Sequence, residues 1–316
     1  MDTNTILTGD VFERLKDIPD QFVQCAVTSP PYWALRDYQS EGQFGLESTP
    51  EGYVERMVEL CRELKRVLRD DGTFWLNLGD TYWGGGWRGD KLNKHSGNVQ
   101  KAHEGTHCGE SMTMGKGSHN VIKSKDMVGI PWRVAFALQA DGWYLRQDII
   151  WSKPNPMPES VTDRCTKAHE YIFLLSKSKN YYYDSNAIKQ PYKENTKPGS
   201  QFGGKKGNSE LGMKTKLQSS PQGFFEMKDG ANMRSVWTIP VRPFKGAHFA
   251  TFPEKLPELC IKAGSKEGDI VLDPFFGSGT TGWVAQRLKR KWIGIELNPD
   301  YIKIAEKRFQ QQELFL

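Results

Sequence analysis

Two short stretches hold residue types whose order could do chemistry. The first is Thr28-Ser29-Pro30-Pro31-Tyr32-Trp33, directly after the apolar run at 23–27. Proline fixes φ and removes a backbone donor, so a strand running into two prolines must stop as a rigid, extended corner. That corner leaves the Ser29 hydroxyl and the Pro30 carbonyl as acceptors, with the Tyr32 ring beside them. Two acceptors and a ring on a stiff support are a way to hold an amino group. The second stretch is Asp273-Pro274-Phe275-Phe276-Gly277-Ser278-Gly279-Thr280-Thr281-Gly282. Its glycines spell G-x-G-x-x-G, and Glu296 follows 19 residues after Gly277.

A glycine turn between strand and helix, with an acid ending the next strand, matches a dinucleotide-binding fingerprint. Asp273 argues against a dinucleotide, because a carboxylate at the strand end repels a pyrophosphate seeking the helix N-terminus. S-adenosylmethionine (AdoMet) has no phosphate and carries an ammonium and a sulfonium, both welcome beside Asp273. Glu296 can then accept hydrogen bonds from the two ribose hydroxyls. The plainer alternative is a tight glycine turn whose acid caps the helix.

Both stretches need a scaffold, and the chain supplies an alternating one. β-rich runs occur at 5–9, 24–29, 72–80, 146–153, 170–178, 269–275 and 291–297. Helical patterns lie between them at 50–72, 131–143, 280–290 and 298–312. The first places Tyr53, Met57, Leu60, Leu64, Val67 and Leu68 on one face and meets a stop at Asp71-Gly72. Strands alternating with helices predict an α/β fold with a mainly parallel sheet. No run of 18 apolar residues exists, so no transmembrane helix is expected. The five cysteines are isolated and odd in number, which fits reduced thiols in a cytosol.

Residues 84–126 and 185–239 break the rhythm. They are rich in Gly, Ser, Lys and polar residues, and read as long loops or a small irregular insertion. Net charge is +5 for the chain. Residues 185–239 alone hold nine Lys/Arg against four Asp/Glu, and 84–126 hold seven against four. Charge runs are commonly solvated faces; two basic arms that meet a polyanion are the functional alternative. Four of the six histidines (95, 103, 107, 119) lie in 84–126 with Cys108, but their irregular spacing does not spell a metal site, and none is expected.

Together, TSPPYW and DPFFGSGTT resemble the amino-group DNA methyltransferases of bacteria and phages, which pair a [DNS]-P-P-[YFW] catalytic motif with a D-P-F-x-G-x-G-T cofactor motif. The catalytic motif comes first here, the order of the β class, a circular permutation of the usual methyltransferase order. The resemblance covers 1–83, 127–184 and 240–316 as the catalytic core. It implies a Rossmann-like AdoMet-dependent fold with a mostly parallel seven-stranded sheet and helices on both faces. It assigns Ser29, Pro30, Pro31 and Tyr32 to catalysis, and Asp273, Phe275, Gly277, Gly279, Thr280, Glu296 and Asp10 to AdoMet, Asp10 near the adenine. Residues 248–265 look like the segment lining the methionine end, and 148–158 like the strand and loop closing the target-base pocket. Residues 84–126 become a basic loop insertion and 185–239 the target-recognition region.

The function implied is site-specific methylation of an exocyclic amino group in duplex DNA, within a restriction–modification system or as an orphan enzyme. The amino nitrogen is a poor nucleophile because its lone pair is delocalised into the ring. Two rigid acceptors at Ser29 and Pro30 would draw its hydrogens out of plane, Tyr32 would stack on the base, and the base must be flipped out of the duplex. Ser at the first motif position favours cytosine N(4) in this family; adenine N(6) is the alternative, and an RNA methyltransferase or a non-catalytic DNA-binding module are more distant ones. The resemblance also allows a homodimer, a cognate restriction endonuclease acting on the same site, and a cytoplasmic, nucleoid-associated location with no membrane partner.

Overall fold

The structure, a computed structural model, describes residues 1–35, 42–84, 119–191, 230–241 and 252–313. The chain divides into two units, Met1–Asp184 with Ser235–Leu316, and Ser185–Arg234. In the second, the described residues include an antiparallel bridge between Gln190 and Ala231, closed by backbone hydrogen bonds of 2.9 and 2.8 Å.

The first unit is built on one sheet. In chain order its strands are β1 (Thr5–Thr8), β2 (Val23–Thr28), β3 (Leu68–Leu78), β4 (Tyr144–Ser152), β5 (His169–Ser176), β6 (Val236–Thr238), β7 (Ile270–Asp273) and β8 (Lys291–Glu296). Their order across the sheet is β1-β8-β7-β2-β3-β5-β4-β6. Every neighbouring pair is parallel except those made by β5, which runs against β3 and β4. All six residues of β2 are buried, as are the last three of β7 and the last five of β8. A parallel strand covered on both faces must read as a continuous apolar run, which is why these strands stand out in the sequence. The expected α/β class with a mostly parallel sheet is what the chain adopts. The strand number differs: eight, not seven. The added β6 is three residues long with only Trp237 buried, too short to show a period, and it pairs with the edge of β4.

The helices are α1 (Val11–Lys16), α2 (Pro50–Val67), α3 (Ile130–Ala140), α4 (Lys255–Gly264), α5 (Thr280–Arg287) and α6 (Pro299–Glu313). Helix α2 starts at Thr49, whose hydroxyl accepts from Gly52 N–H at 3.1 Å, with Pro50 in the first turn. It buries Tyr53, Met57, Leu60, Leu64 and Val67 as the spacing predicts. It ends at Val67 rather than at Asp71-Gly72, because Leu68 is drawn into the sheet beside Val23. The pairing register then jumps from Val23↔Leu68 to Cys25↔Thr73, so Arg69 to Gly72 form a bulge. Helix α4 is the amphipathic helix that 248–265 also allows, with Leu256, Leu259 and Ile261 buried; helix α1, six residues long, is too short to show a period.

Strands β7 and β2 are neighbours. From them the chain winds outward in opposite directions, β7 to β8 on one side and β2 to β3 on the other. A crevice opens beyond the strand ends at such a switch point. Both motifs leave the sheet there, Ser29 from β2 and Pro274 from β7.

Candidate active site

Asp273 closes β7 and is 2% exposed. Its Oδ1 accepts from the Thr28 hydroxyl at 2.6 Å and from Phe275 N–H at 3.1 Å; its Oδ2 accepts from the Thr281 hydroxyl at 2.6 Å. The carboxyl therefore rivets β2, the glycine loop and the start of α5 together. Burial pushes its pKa from 3.8 up to about 7, partly opposed by those three hydrogen bonds. Asp273 does not line the adjoining cleft; both its oxygens are taken by the chain's own donors, behind the cleft wall. Gly279 and Thr280 lie behind it too. Gly279 has φ +77° and would bring a Cβ within 3.1–3.2 Å of Phe309, Ala305 and Phe276. Thr280 Oγ1 accepts from Arg308 at 3.1 Å.

In front lies a cleft enclosing about 920 Å³, including its solvent-open part. It is lined by Gly9, Asp10, Phe44, Phe275, Gly277, Ser278, Glu296, Asn298 and Tyr301, and also by Ser29 and Pro31. Gly277 has φ +52°, and nothing comes within 4 Å of where a Cβ would stand. Glu296, at the end of β8, accepts from Gly277 N–H at 2.7 Å through Oε2 and from Asn298 N–H at 2.8 Å through Oε1. Burial raises its pKa, and backbone donors work against the shift. Asp10 caps α1, its Oδ1 accepting from Phe12 N–H at 2.9 Å and Glu13 N–H at 3.3 Å. Ser278 Oγ is buried without a partner among the described residues. A cradle open at a glycine, two acids and an unsatisfied hydroxyl fit a nucleoside cofactor with ribose hydroxyls and a cationic end. Phe44 and Phe275 meet edge-on across the wall, with ring centroids 5.4 Å apart.

The proline corner sits on the same cleft. Tyr53 of α2 donates its hydroxyl to the Pro31 carbonyl at 3.0 Å, fixing the corner from below. The Ser29 hydroxyl donates to Tyr32 Oη at 3.1 Å, and Tyr32 donates to Glu170 Oε2 at 2.7 Å. Asn77 Nδ2 lies 3.3 Å from Ser29 Oγ, 2.5 Å from Tyr32 Oη and 2.9 Å from Glu170 Oε2. Lys153 pairs with Glu170 Oε1. Burial, then the Glu170 charge, raises the Tyr32 pKa well above 10. Trp33 is packed away, 3% exposed, donating to the Glu47 carbonyl and stacked on Trp83. Ser29 and Pro31 line the cleft, whereas Pro30 and Tyr32 stand beside it.

Asn77, Lys153 and Glu170 were missed as site residues, although Lys153 falls in the stretch expected to close the base pocket. A signal existed: Asn77 interrupts the apolar run of β3, and Glu170 stands directly before the apolar run Tyr171–Leu175 of β5. Polar groups in strands that are otherwise buried need partners. Of the histidine cluster, His95, His103, His107 and Cys108 lie outside the described residues. His119 accepts from Val121 and Ile122 N–H and packs edge-on against Trp83.

The cleft lies at the switch point of a doubly wound α/β sheet, the place where such folds bind their ligands, with the glycine loop and two acids on one wall and the Ser29–Pro31 corner on the other. The family described as DNA methylase (N6_N4_Mtase) matches residues 23–307, and the chain belongs to it. Among curated relatives, the type II methyltransferase M.SmaI of Serratia marcescens is 46% identical over 305 residues, 96% of this chain and 89% of the relative. M.Cfr9I of Citrobacter freundii is 44% identical over 312 residues, 98% and 88% of the two chains. The fold is shared with the PvuII cytosine-N4-specific DNA methyltransferase (TM-score 0.65, 21% identity, 98% and 87% coverage). It is also shared with the Thermus thermophilus protein TTHA0409 complexed with AdoMet (TM-score 0.57, 22% identity, 97% and 93% coverage). The protein is a DNA amino-methyltransferase, cytosine-N4 or adenine-N6 in class, and its methyl donor is AdoMet.

Proposed function

We propose that the chain methylates the N(4) amino group of a flipped-out cytosine in duplex DNA, as the modification half of a type II restriction–modification pair. The observation that carries the base choice is Ser29 on the cleft wall, a neutral hydroxyl where an ionised acid would stand in other members. In this family Ser at that position goes mostly with cytosine, and its hydroxyl accepts from the amino group while its one hydrogen is donated to Tyr32. The names of the curated relatives support the restriction–modification setting, and the cytosine-N4 specificity of the PvuII enzyme agrees with the base.

In this reading Asp10 and Glu296 hold the nucleoside part of AdoMet, and the backbone of the glycine loop passes close to it. Bound there, the donor supplies a methyl group on a positively charged sulfur. The Ser29 hydroxyl and the Pro30 carbonyl draw the amino hydrogens out of the base plane, and the rigid corner avoids reorganisation at the moment of transfer. Nucleoside mass spectrometry of duplex DNA methylated in vitro tests the assignment. N(4)-methylcytosine is expected; N(6)-methyladenine alone would reassign the base. Ser29→Ala should abolish either product while AdoMet binding persists.

A further inference from the structure

Methylation of an amino group leaves a proton to be removed. As the target nitrogen takes the methyl group, its N–C bond forms, the donor's C–S bond breaks, and that electron pair stays on sulfur. The nitrogen then carries a positive charge and one hydrogen too many. Ser29 is a weak acceptor for that hydrogen unless it can pass on its own, and the structure gives it a place to go.

We propose that Ser29, Tyr32 and Glu170 form a proton relay in which the Glu170 carboxylate, 2.7 Å from the Tyr32 hydroxyl, is the final acceptor. The shed proton moves to Ser29 Oγ while the Ser29 proton moves to Tyr32 Oη and the Tyr32 proton to Glu170 Oε2. Each hydroxyl gains one proton and loses one, so only nitrogen and Glu170 change charge. When product leaves, water reaching the corner takes the proton and returns the chain to its starting state.

The hydrogen bonds already point the right way. Ser29 donates away from the cleft, leaving a lone pair facing it, and Tyr32 donates onward. Asn77 Nδ2 lies within 3.3 Å of all three oxygens, its two hydrogens shared among them. Tyr32 is held as a neutral phenol by burial, so it serves as a link and not as a base. The charged neighbours of Glu170 are Lys153 at the end of β4, paired with its other oxygen, and the more distant Lys167, which is largely buried and reaches the Asp80 carbonyl at 3.3 Å. Asp80 is already committed, its carboxylate accepting from Thr81, Gly129 and Ile130 N–H, and so does not compete. Lys153 neutralises the carboxylate before turnover, and its pairing weakens as Glu170 takes the proton.

The inference rests on Ser29 facing the target amino group and not on which base carries it. The test is single-turnover transfer of a labelled methyl group from AdoMet to duplex DNA, counted on either base across a pH series. Glu170→Gln keeps the size of the side chain and one accepting oxygen for Tyr32, but gives up the acceptor that faces Lys153 and the basicity of the carboxylate. Its rate should fall on the order of 100-fold near neutral pH and recover as pH rises and solvent takes over. Tyr32→Phe should lose a similar amount, and the double variant no more than the worse single one, because both cut one path. AdoMet affinity by calorimetry should stay within about twofold of wild type. A wild-type rate for Glu170→Gln, losses that multiply in the double variant, or a loss tracking AdoMet affinity or melting temperature would each overturn the relay. Should Glu170→Gln not fold, Tyr32→Phe with the same pH series decides. Full activity in Ser29→Ala would instead overturn the reading of the corner itself.

Discussion

At the residue scale, two acids spaced like cofactor ligands turn out to do different work. Glu296 faces the cleft, each oxygen holding one backbone N–H and keeping a further lone pair. Glu296→Ala should weaken AdoMet binding by on the order of 1.5–3 kcal/mol, the worth of a charge-assisted hydrogen bond; calorimetry measures it, and unchanged affinity would remove Glu296 from the cofactor site. Asp273 is the opposite case. In the folded chain its proton is held up to about pH 7, against 3.8 ordinarily. Between those values the folded state binds a proton that the unfolded state has released. The stability this group confers is full below the lower value and is lost as pH rises through the upper one. Asp273→Asn removes that dependence. Melting temperatures at about pH 5 and about pH 8 should therefore differ less in the variant than in wild type, and an identical difference would contradict the buried, protonatable carboxyl.

At the scale of elements, the corner is placed by contact with a strand end. The Tyr32 ring lies on Gly79, just past β3, where a Cβ would stand 2.6 Å from Cε2 and 2.8 Å from Cδ2. Gly79→Ala must push the ring away and lengthen the row from Ser29 to Glu170. Methyl transfer should drop on the order of 100-fold, as misplacements of about 1 Å do, while AdoMet affinity, set on the other wall, is kept. Rate and calorimetry together check this; equal losses in both would mean that the whole cleft had moved. Helix α2 supplies the support from below through Tyr53, and Thr49 starts that helix. Thr49→Ala should cost about 1 kcal/mol of stability in a denaturant titration without altering the Tyr53 hydrogen bond.

At the scale of the molecule, the positive charge is segregated. The cluster Lys197, Lys205, Lys206, Lys214 and Lys216 lies outside the described residues, so its role as a DNA-binding arm is a proposal from the sequence. Neutralising it should lower DNA affinity and flatten its dependence on salt, the slope falling by about 0.9 for each phosphate that is no longer neutralised. Salt titrations with equal slopes in both proteins would show that the arm does not touch phosphates. Among the described residues no helix is long and apolar enough to cross a membrane.

Much of this was open to reading from the chain alone. Buried parallel strands are continuous apolar runs, amphipathic helices repeat at 3.6 residues, and proline and glycine punctuate locally, so β2, β7, β8, α2 and both motifs are visible one segment at a time. The acids of the glycine loop were visible too, but their duties were not. Whether a carboxylate faces a cleft or rivets a strand depends on Thr28, 245 residues away from Asp273, and no local pattern carries that. Glu170 shows the same limit from the other side. In sequence it is one charge at the head of an apolar strand. Only the pairing order β2-β3-β5, with β5 reversed, brings it beside Asn77 and Tyr32. The local chemistry of each motif is written in its own few residues, because backbone conformation and side-chain type are local. Partnership across the sheet depends on strand order, register and burial, which arise when the whole chain packs.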